Sequence, residues 1–137
     1  MGHNYLQLFY HFIWSTRGRE PSITPEREPV VYGYIRQRCG ESRVLVHALD
    51  GMPDHVHLVC TLPTSLCIGD FLEMVKGASS HFANHLPGGE RWLHWQPGYG
   101  GLTVSKRDLP RVVAYVQGQK EHHRSGRLIL GLERIEE

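Results

Sequence analysis

The chain lacks any apolar run approaching the ~18 residues of a membrane span. Its opening stretch, Met1 to Tyr10, has no basic-then-apolar layout of a signal peptide. Cysteine is scarce: Cys39, Cys60 and Cys67 are an odd number, with no C-x-x-C pair among them. That spacing argues against a disulfide framework and for a reducing, cytoplasmic setting in which the thiols are small buried or inert groups. No internal repeat, low-complexity tract or long linker divides the sequence. An excess of one charge is missing as well, because 15 Lys+Arg face 14 Asp+Glu for a net charge of +1. No global field therefore draws in nucleic acid.

What is present describes a single globular domain over residues 1–137. Hydrophobic residues are 40% and charged residues 21% of the chain, which excludes wholesale disorder. A chain of this length buries about two-thirds of its unfolded surface without covalent staples. Charge is uneven along it. Between Ser105 and Arg127, the six cations Lys106, Arg107, Arg111, Lys120, Arg124 and Arg127 face only Asp108 and Glu121. Ten histidines are the unusual statistic, since histidine serves both as metal ligand and as proton carrier.

The apolar and aromatic run from Asn4 to Thr16 reads as a strand. A helix follows, opening between Thr24-Pro25 and Glu28, burying Val31, Tyr34 and Ile35, and stopping near Cys39-Gly40. Arg43 to Leu49 and His55 to Leu62 read as a hairpin around Asp50-Gly51-Met52-Pro53-Asp54. Ile68, Phe71, Leu72, Val75, Phe82 and Leu86 recur at helical spacing, giving an amphipathic helix from Cys67 to Leu86 that Pro87-Gly88-Gly89 ends. A short strand at Leu102–Val104 precedes a last helix from Asp108 to His123, striped by Leu109, Val112, Val113 and Val116. The order β-α-β-β-α-β-α predicts an α+β fold. Its first six elements match the ferredoxin-like split βαβ arrangement, an antiparallel sheet with two helices on one face. The last helix is left to pack elsewhere.

His55-Val56-His57 is the sharpest local signal. Alternation along a strand places both imidazoles on one face, where they are spaced to share a divalent metal. The same pair also describes two ordinary histidines on a half-buried strand. On a continuous last helix, Tyr115, Gln119 and His122 fall at i, i+4 and i+7 and share a face away from the apolar stripe. Packing, or a solvated helix end where His122, His123 and Arg124 suit the dipole, accounts for them equally well.

Four segments in order carry a resemblance: Met52-Pro53-Asp54-His55-Val56-His57-Leu58, Val75-Lys76-Gly77-Ala78-Ser79-Ser80, Trp95-Gln96-Pro97-Gly98-Tyr99-Gly100 and Tyr115-Val116-Gln117-Gly118-Gln119. Together they resemble the single-tyrosine HUH transposases of small bacterial insertion sequences and their domesticated REP-associated relatives. The likeness runs from Phe12-Ile13-Trp14-Ser15-Thr16 to Glu121-His122-His123.

The resemblance implies a DNA strand transferase working on single-stranded or hairpin DNA. Tyr115 would attack the scissile phosphate, leaving a 5′-phosphotyrosine and a free 3′-OH. His55, His57 and Gln119 would be the ligands of one Mg²⁺ or Mn²⁺. Covalent catalysis of this kind splits the exchange into two similar transesterifications, and the phosphotyrosine conserves the bond energy for rejoining. A phenol of pKa ≈ 10 is a poor nucleophile at neutral pH, so the phosphate must be polarised or the phenol relieved of its proton. His122 and Lys120 are the candidates for the latter. Lys76, Lys106, Arg107 and Arg111 would contact phosphates, and Tyr99, Trp92 or Trp95 would stack on unpaired bases. One nucleophilic tyrosine per chain, as the resemblance implies, calls for a homodimer, in which Gly98-Tyr99-Gly100-Gly101 could let the last helix reach the other subunit. A relative that grips hairpins without cutting is the alternative, and a metal-binding protein unrelated to DNA is a third reading.

Overall fold

The protein is described by a computed structural model covering residues 2–135. Four strands, β1 (Phe9–Ser15), β2 (Leu45–Met52), β3 (His55–Thr61) and β4 (Gly100–Val104), form one sheet in the order β2-β3-β1-β4, antiparallel throughout. Helices α1 (Glu28–Glu41) and α2 (Ile68–Asn84) follow β1 and β3. This is the split βαβ arrangement expected from the element order. Proline sits in the first turn of α1, where its missing N–H leaves no hydrogen bond unmade.

Alternation along the two central strands sorts side chains onto opposite faces. Phe12 and Trp14 of β1 and Val56, Leu58 and Cys60 of β3 face α1 and α2, meeting Val31, Ile35, Cys39, Phe71, Leu72 and Val75 in the main core. Tyr34, expected on the buried side of α1, is half-buried and stacks on Phe82 at 4.1 Å between ring centroids. Leu58 is fully buried at the centre of this layer. A Leu58→Ala substitution is expected to cost about 2–5 kcal/mol, read as a lowered urea midpoint at unchanged slope.

The remaining helical segment covers the opposite face. Val112, Tyr115 and Val116 pack on Ala48 of β2, Val59 of β3 and Val104 of β4. It is two helices, α3 (Leu109–Gln117) and α4 (Gln119–Ser125), separated by Gly118 at φ −99°, ψ 21°. Tyr115 and Gln119 therefore do not lie on one continuous helix, and Tyr115 belongs to the apolar stripe instead of avoiding it. Glycine's low helix propensity is the physical reason for the break. It is reinforced locally, since a Cβ at 118 would lie 3.2 Å from the His122 ring.

Other boundaries shift for similar local reasons. β1 starts at Phe9, leaving Tyr5 and Leu6 exposed ahead of it. Asp50 and Gly51 continue β2, and only Pro53-Asp54 turns the hairpin. Gly51 is needed inside the strand because a Cβ there would collide with the His55 carbonyl. Gly100 and Gly101, expected as a flexible hinge, pair with Ile13 and Phe12 in β4. Cys39 and Cys60 are buried and Cys67 is exposed; all three are free thiols. Among the described residues, no helix is long and apolar enough to cross a membrane.

Candidate active site

The face of β3 turned toward α3 and α4 carries His55, His57 and Val59, and cross-strand pairing sets Ile13 of β1 beside His57. Both histidines are buried. Each is held from behind through Nδ1. Asp54 Oδ1 lies 2.7 Å from His55 Nδ1, and His11 Nε2, one strand over, lies 2.8 Å from His57 Nδ1. Their Nε2 atoms both look into the space beneath α3.

Glu133 fills that space. Its Oε1 is 3.1 Å from His57 Nε2, 3.3 Å from His55 Nε2 and 3.5 Å from His123 Nε2. Its Oε2 accepts the Tyr115 hydroxyl and, at 3.2 Å, the Gln119 side-chain amide. The Tyr115 oxygen also accepts the Ile129 backbone N–H at 3.1 Å. The structure thus brings His55, His57, Tyr115 and Gln119 together within one chain, and the group joining them is the carboxylate of Glu133, which no motif in the sequence singled out.

The tail reaches this position by crossing β4. After α4, Gly126 turns in the left-handed region at φ 72°. A short 3₁₀ turn, Leu130–Leu132, then leads over Gly100, where any Cβ would collide with the Arg134 carbonyl. A glycine inside a strand often marks such a close backbone approach, and Gly100 was the available signal for it.

Electrostatics follow from this packing. Burial opposes charge on Glu133, yet the contacts from His55, His57 and Tyr115 hold its carboxyl well below the usual carboxylate range. Burial likewise opposes protonation of His55, but Asp54 and Glu133 outweigh it and raise its pKa. For His57 burial prevails and the pKa falls. Burial and the neighbouring His57 push His11 down to about 3, so this ring is neutral at ordinary pH. Burial and the Glu133 carboxylate push the Tyr115 phenol up to about 12.

The donor set suits a divalent ion. One nitrogen from each of His55 and His57 and one oxygen from Glu133 all lie within 4.8 Å of one another. His55 Nε2 is buried and makes no well-formed hydrogen bond, its polar neighbour being the Glu133 carboxylate at 3.3 Å. Gln119 is fully buried at the edge of the group, with Oε1 3.1 Å from His123 Nε2.

The proton-acceptor candidates fall differently. Lys120 donates to Glu28 Oε1, Asp50 Oδ1 and the Gly51 carbonyl, at 3.1, 2.9 and 2.7 Å, and so is tied to the far side of the hairpin. The His122 ring lies 4.5 Å from that of Tyr115, but its Nδ1 is engaged with the Arg127 carbonyl.

Around the site, Lys106, Arg107 and Arg111 are exposed at the start of α3. Lys76 donates to the Gln96 and Gly98 carbonyls at 2.9 and 2.8 Å and so shapes the loop bearing Tyr99. It also borders a recess of about 260 Å³ with Arg17 and His94. Of the three aromatic candidates, Tyr99 is 40% exposed, whereas Trp95 is buried and donates to Ser79 Oγ, and Trp92 lies under the Arg27 guanidinium. A cleft of about 410 Å³ between Thr16, Arg19, Gln96 and Pro97 opens onto Glu133.

Comparison with known proteins identifies the family and the fold. The sequence family described as Transposase IS200 like matches residues 4–119. The ISDra2 transposase TnpA of Deinococcus radiodurans is 30% identical over 84% of this chain and 86% of its own length. The transposase for insertion sequence element IS200 of Salmonella typhimurium is 22% identical over 92% of this chain and 86% of its own. Among solved structures, one of a Deinococcus radiodurans protein described as a transposase superposes with a TM-score of 0.64 at 29% identity, covering 87% of this chain and 96% of that one. A REP-associated tyrosine transposase bound to a REP hairpin shares the fold, with a TM-score of 0.65 at 17% identity over 93% of this chain and 76% of that one.

Proposed function

This chain belongs to the IS200-like transposase family, and we propose that it cuts and rejoins one DNA strand at hairpin ends through a covalent bond to Tyr115. The observation that carries the reading is the convergence of a tyrosine hydroxyl and two strand-borne imidazoles on one carboxylate.

In this reading the Tyr115 oxygen attacks the scissile phosphorus. The Oη–P bond forms as the P–O3′ bond breaks, leaving a 5′-phosphotyrosine and a 3′-OH. The reverse attack by a 3′-OH rejoins the strand with no further energy input. His55 and His57 would hold Mg²⁺ or Mn²⁺, with Gln119 and Glu133 beside them. When bound, such an ion supplies Lewis-acid polarisation of a non-bridging phosphate oxygen. His11 and Asp54 fix the orientations of the two imidazoles from behind, as partners of ligating histidines do. Glu133 holds the phenol proton, and the apolar contacts of Tyr115 with Val112 and Val116 keep its ring over the histidines.

Lys106, Arg107 and Arg111 would meet the DNA backbone beside α3, Lys76 and Arg17 would do so at the recess along α2, and Tyr99 would stack on an unpaired base. The hairpin held by the REP-associated relative supports this choice of substrate. A single nucleophilic tyrosine per chain and two strand ends per transposition would call for a homodimer working in the cytoplasm.

Incubation with end-labelled hairpin DNA and Mg²⁺ or Mn²⁺ tests the proposal. The expected result is a protein–DNA adduct that survives denaturation and disappears with chelator. Tight hairpin binding with no adduct in either metal would instead identify a module that grips DNA without cutting it.

A further inference from the structure

We propose that Arg19 is a phosphate contact for the unpaired DNA strand, holding the phosphodiester next to the one that Tyr115 attacks. The inference rests on the transposase reading and extends it to a residue outside all four segments that carry the family resemblance.

The first observation is backbone strain. In the turn Arg17–Arg19 that follows β1, two residues lie in the left-handed region, Gly18 at φ 63° and Arg19 at φ 58°. Glycine takes that conformation freely, whereas an arginine does so against its own preference. The surroundings impose it. Thr16 N–H donates to the Asp54 carbonyl at 2.9 Å, and Arg17 N–H donates to the His94 carbonyl at 2.8 Å. Arg19 N–H closes the turn on the Thr16 carbonyl at 3.0 Å. Strain maintained in this way clusters at active sites and ligand clamps.

Packing does not account for the arginine. Its side chain is 54% exposed, and among the described residues its one ion pair runs from Nε to Asp54 Oδ2 at 3.8 Å. An exposed pair at that distance contributes little to stability. The guanidinium makes no hydrogen bond among the described residues. Its N–H fork is therefore open to the bidentate contact that a phosphate accepts.

Location supplies the ligand. Arg19, Thr16, Gln96 and Pro97 line the cleft of about 410 Å³ that opens onto Glu133. Its two walls are tied together by the Thr16–Trp95 bridge and by the Gln96 N–H, which donates to the Ser15 carbonyl at 2.8 Å. Glu133 touches the Tyr115 hydroxyl and both imidazoles, so a strand lying in the cleft leads to the nucleophile. Asp54 marks the same proximity. One of its oxygens meets Arg19, and the other lies 2.7 Å from His55 Nδ1. A single carboxylate thus separates the guanidinium from an imidazole of the site. A strand whose scissile phosphate sits at the histidines would lay a neighbouring phosphate on Arg19.

Two readouts test the assignment, both on the full chain with hairpin DNA bearing a single-stranded extension. Binding is first measured in chelator, so that no strand is cut, across a series of salt concentrations. Glycine suits the left-handed backbone at position 19, so Arg19→Gly is expected to fold as the parent does. It should bind about tenfold more weakly. Its slope of log K against log salt should fall by about 0.7, the share of one single-strand phosphate. Arg19→Lys keeps the charge and should keep the slope. The second readout replaces single phosphates by uncharged methylphosphonates on either side of the cleavage point mapped from the parent's adduct. One of these should weaken binding by the parent about tenfold and leave binding by Arg19→Gly unchanged. A parental salt slope in Arg19→Gly would overturn the proposal. So would methylphosphonate losses as large in Arg19→Gly as in the parent at every flanking position. Absence of any adduct from the parent counts against the transposase reading, whereas the salt slope still decides for or against Arg19.

Discussion

A Tyr115→Phe variant is expected to form no covalent adduct with hairpin DNA while binding that DNA as the parent does. The substitution removes one oxygen and leaves the ring where it packs, against Val112, Val116, Val59 and Ala48. Two hydrogen bonds go with the oxygen, the one donated to Glu133 and the one accepted from Ile129. Glu133 keeps its contacts with Gln119 and the histidines, so the buried carboxylate is not stranded. The expected stability loss is therefore small, about 1 kcal/mol. Covalent chemistry has no such reserve, because phenylalanine has no atom to bond to phosphorus. A denaturing gel of labelled DNA reads the result directly. Persistence of the adduct in Tyr115→Phe would move the nucleophile to another residue.

His57→Ala should be the most damaging change that leaves the nucleophile in place. His57 is fully buried between His11 and Glu133, and its loss takes the hydrogen bond from the buried His11 ring, while Glu133 keeps its contacts with His55, Tyr115 and Gln119. Stability should fall by about 1–3 kcal/mol for the unsatisfied group. Cleavage should drop by about 10³-fold or more, as when a principal source of transition-state charge stabilisation is removed. Calorimetry should register no Mn²⁺ binding at concentrations that saturate the parent. Near-parental cleavage in a folded His57→Ala protein would sever the link between this imidazole and the chemistry.

The layered fold and the histidine pair were legible because both depend on short periodicities. Alternation along β3 places His55 and His57 on one face whatever surrounds them, and the apolar spacing of α2 declares its buried side. The break at Gly118 was less legible, since an isolated glycine within a helical pattern is often tolerated and the crowding from His122 arises only after folding. Glu133 was illegible for a stronger reason. It stands 76 residues from His57, in a segment with no periodicity, and a glutamate near a charged terminus usually reads as solvated. Only the crossing over Gly100 brings it inside. Trp95, one of three aromatics weighed for stacking on unpaired bases, is instead enclosed, with its indole hydrogen-bonded to Ser79.

The ammonium of Lys120 fastens the short helix α4 to α1 and to the β2 strand through Glu28, Asp50 and the Gly51 carbonyl. This clasp is partly open to water, with 44% of the lysine side chain exposed, and ion pairs of that kind weaken as salt accumulates around them. It moors the segment that follows Tyr115 to the hairpin and first helix of the same chain. Were this segment to exchange between two copies, it would first have to cast off the mooring, and added salt would be expected to ease that release.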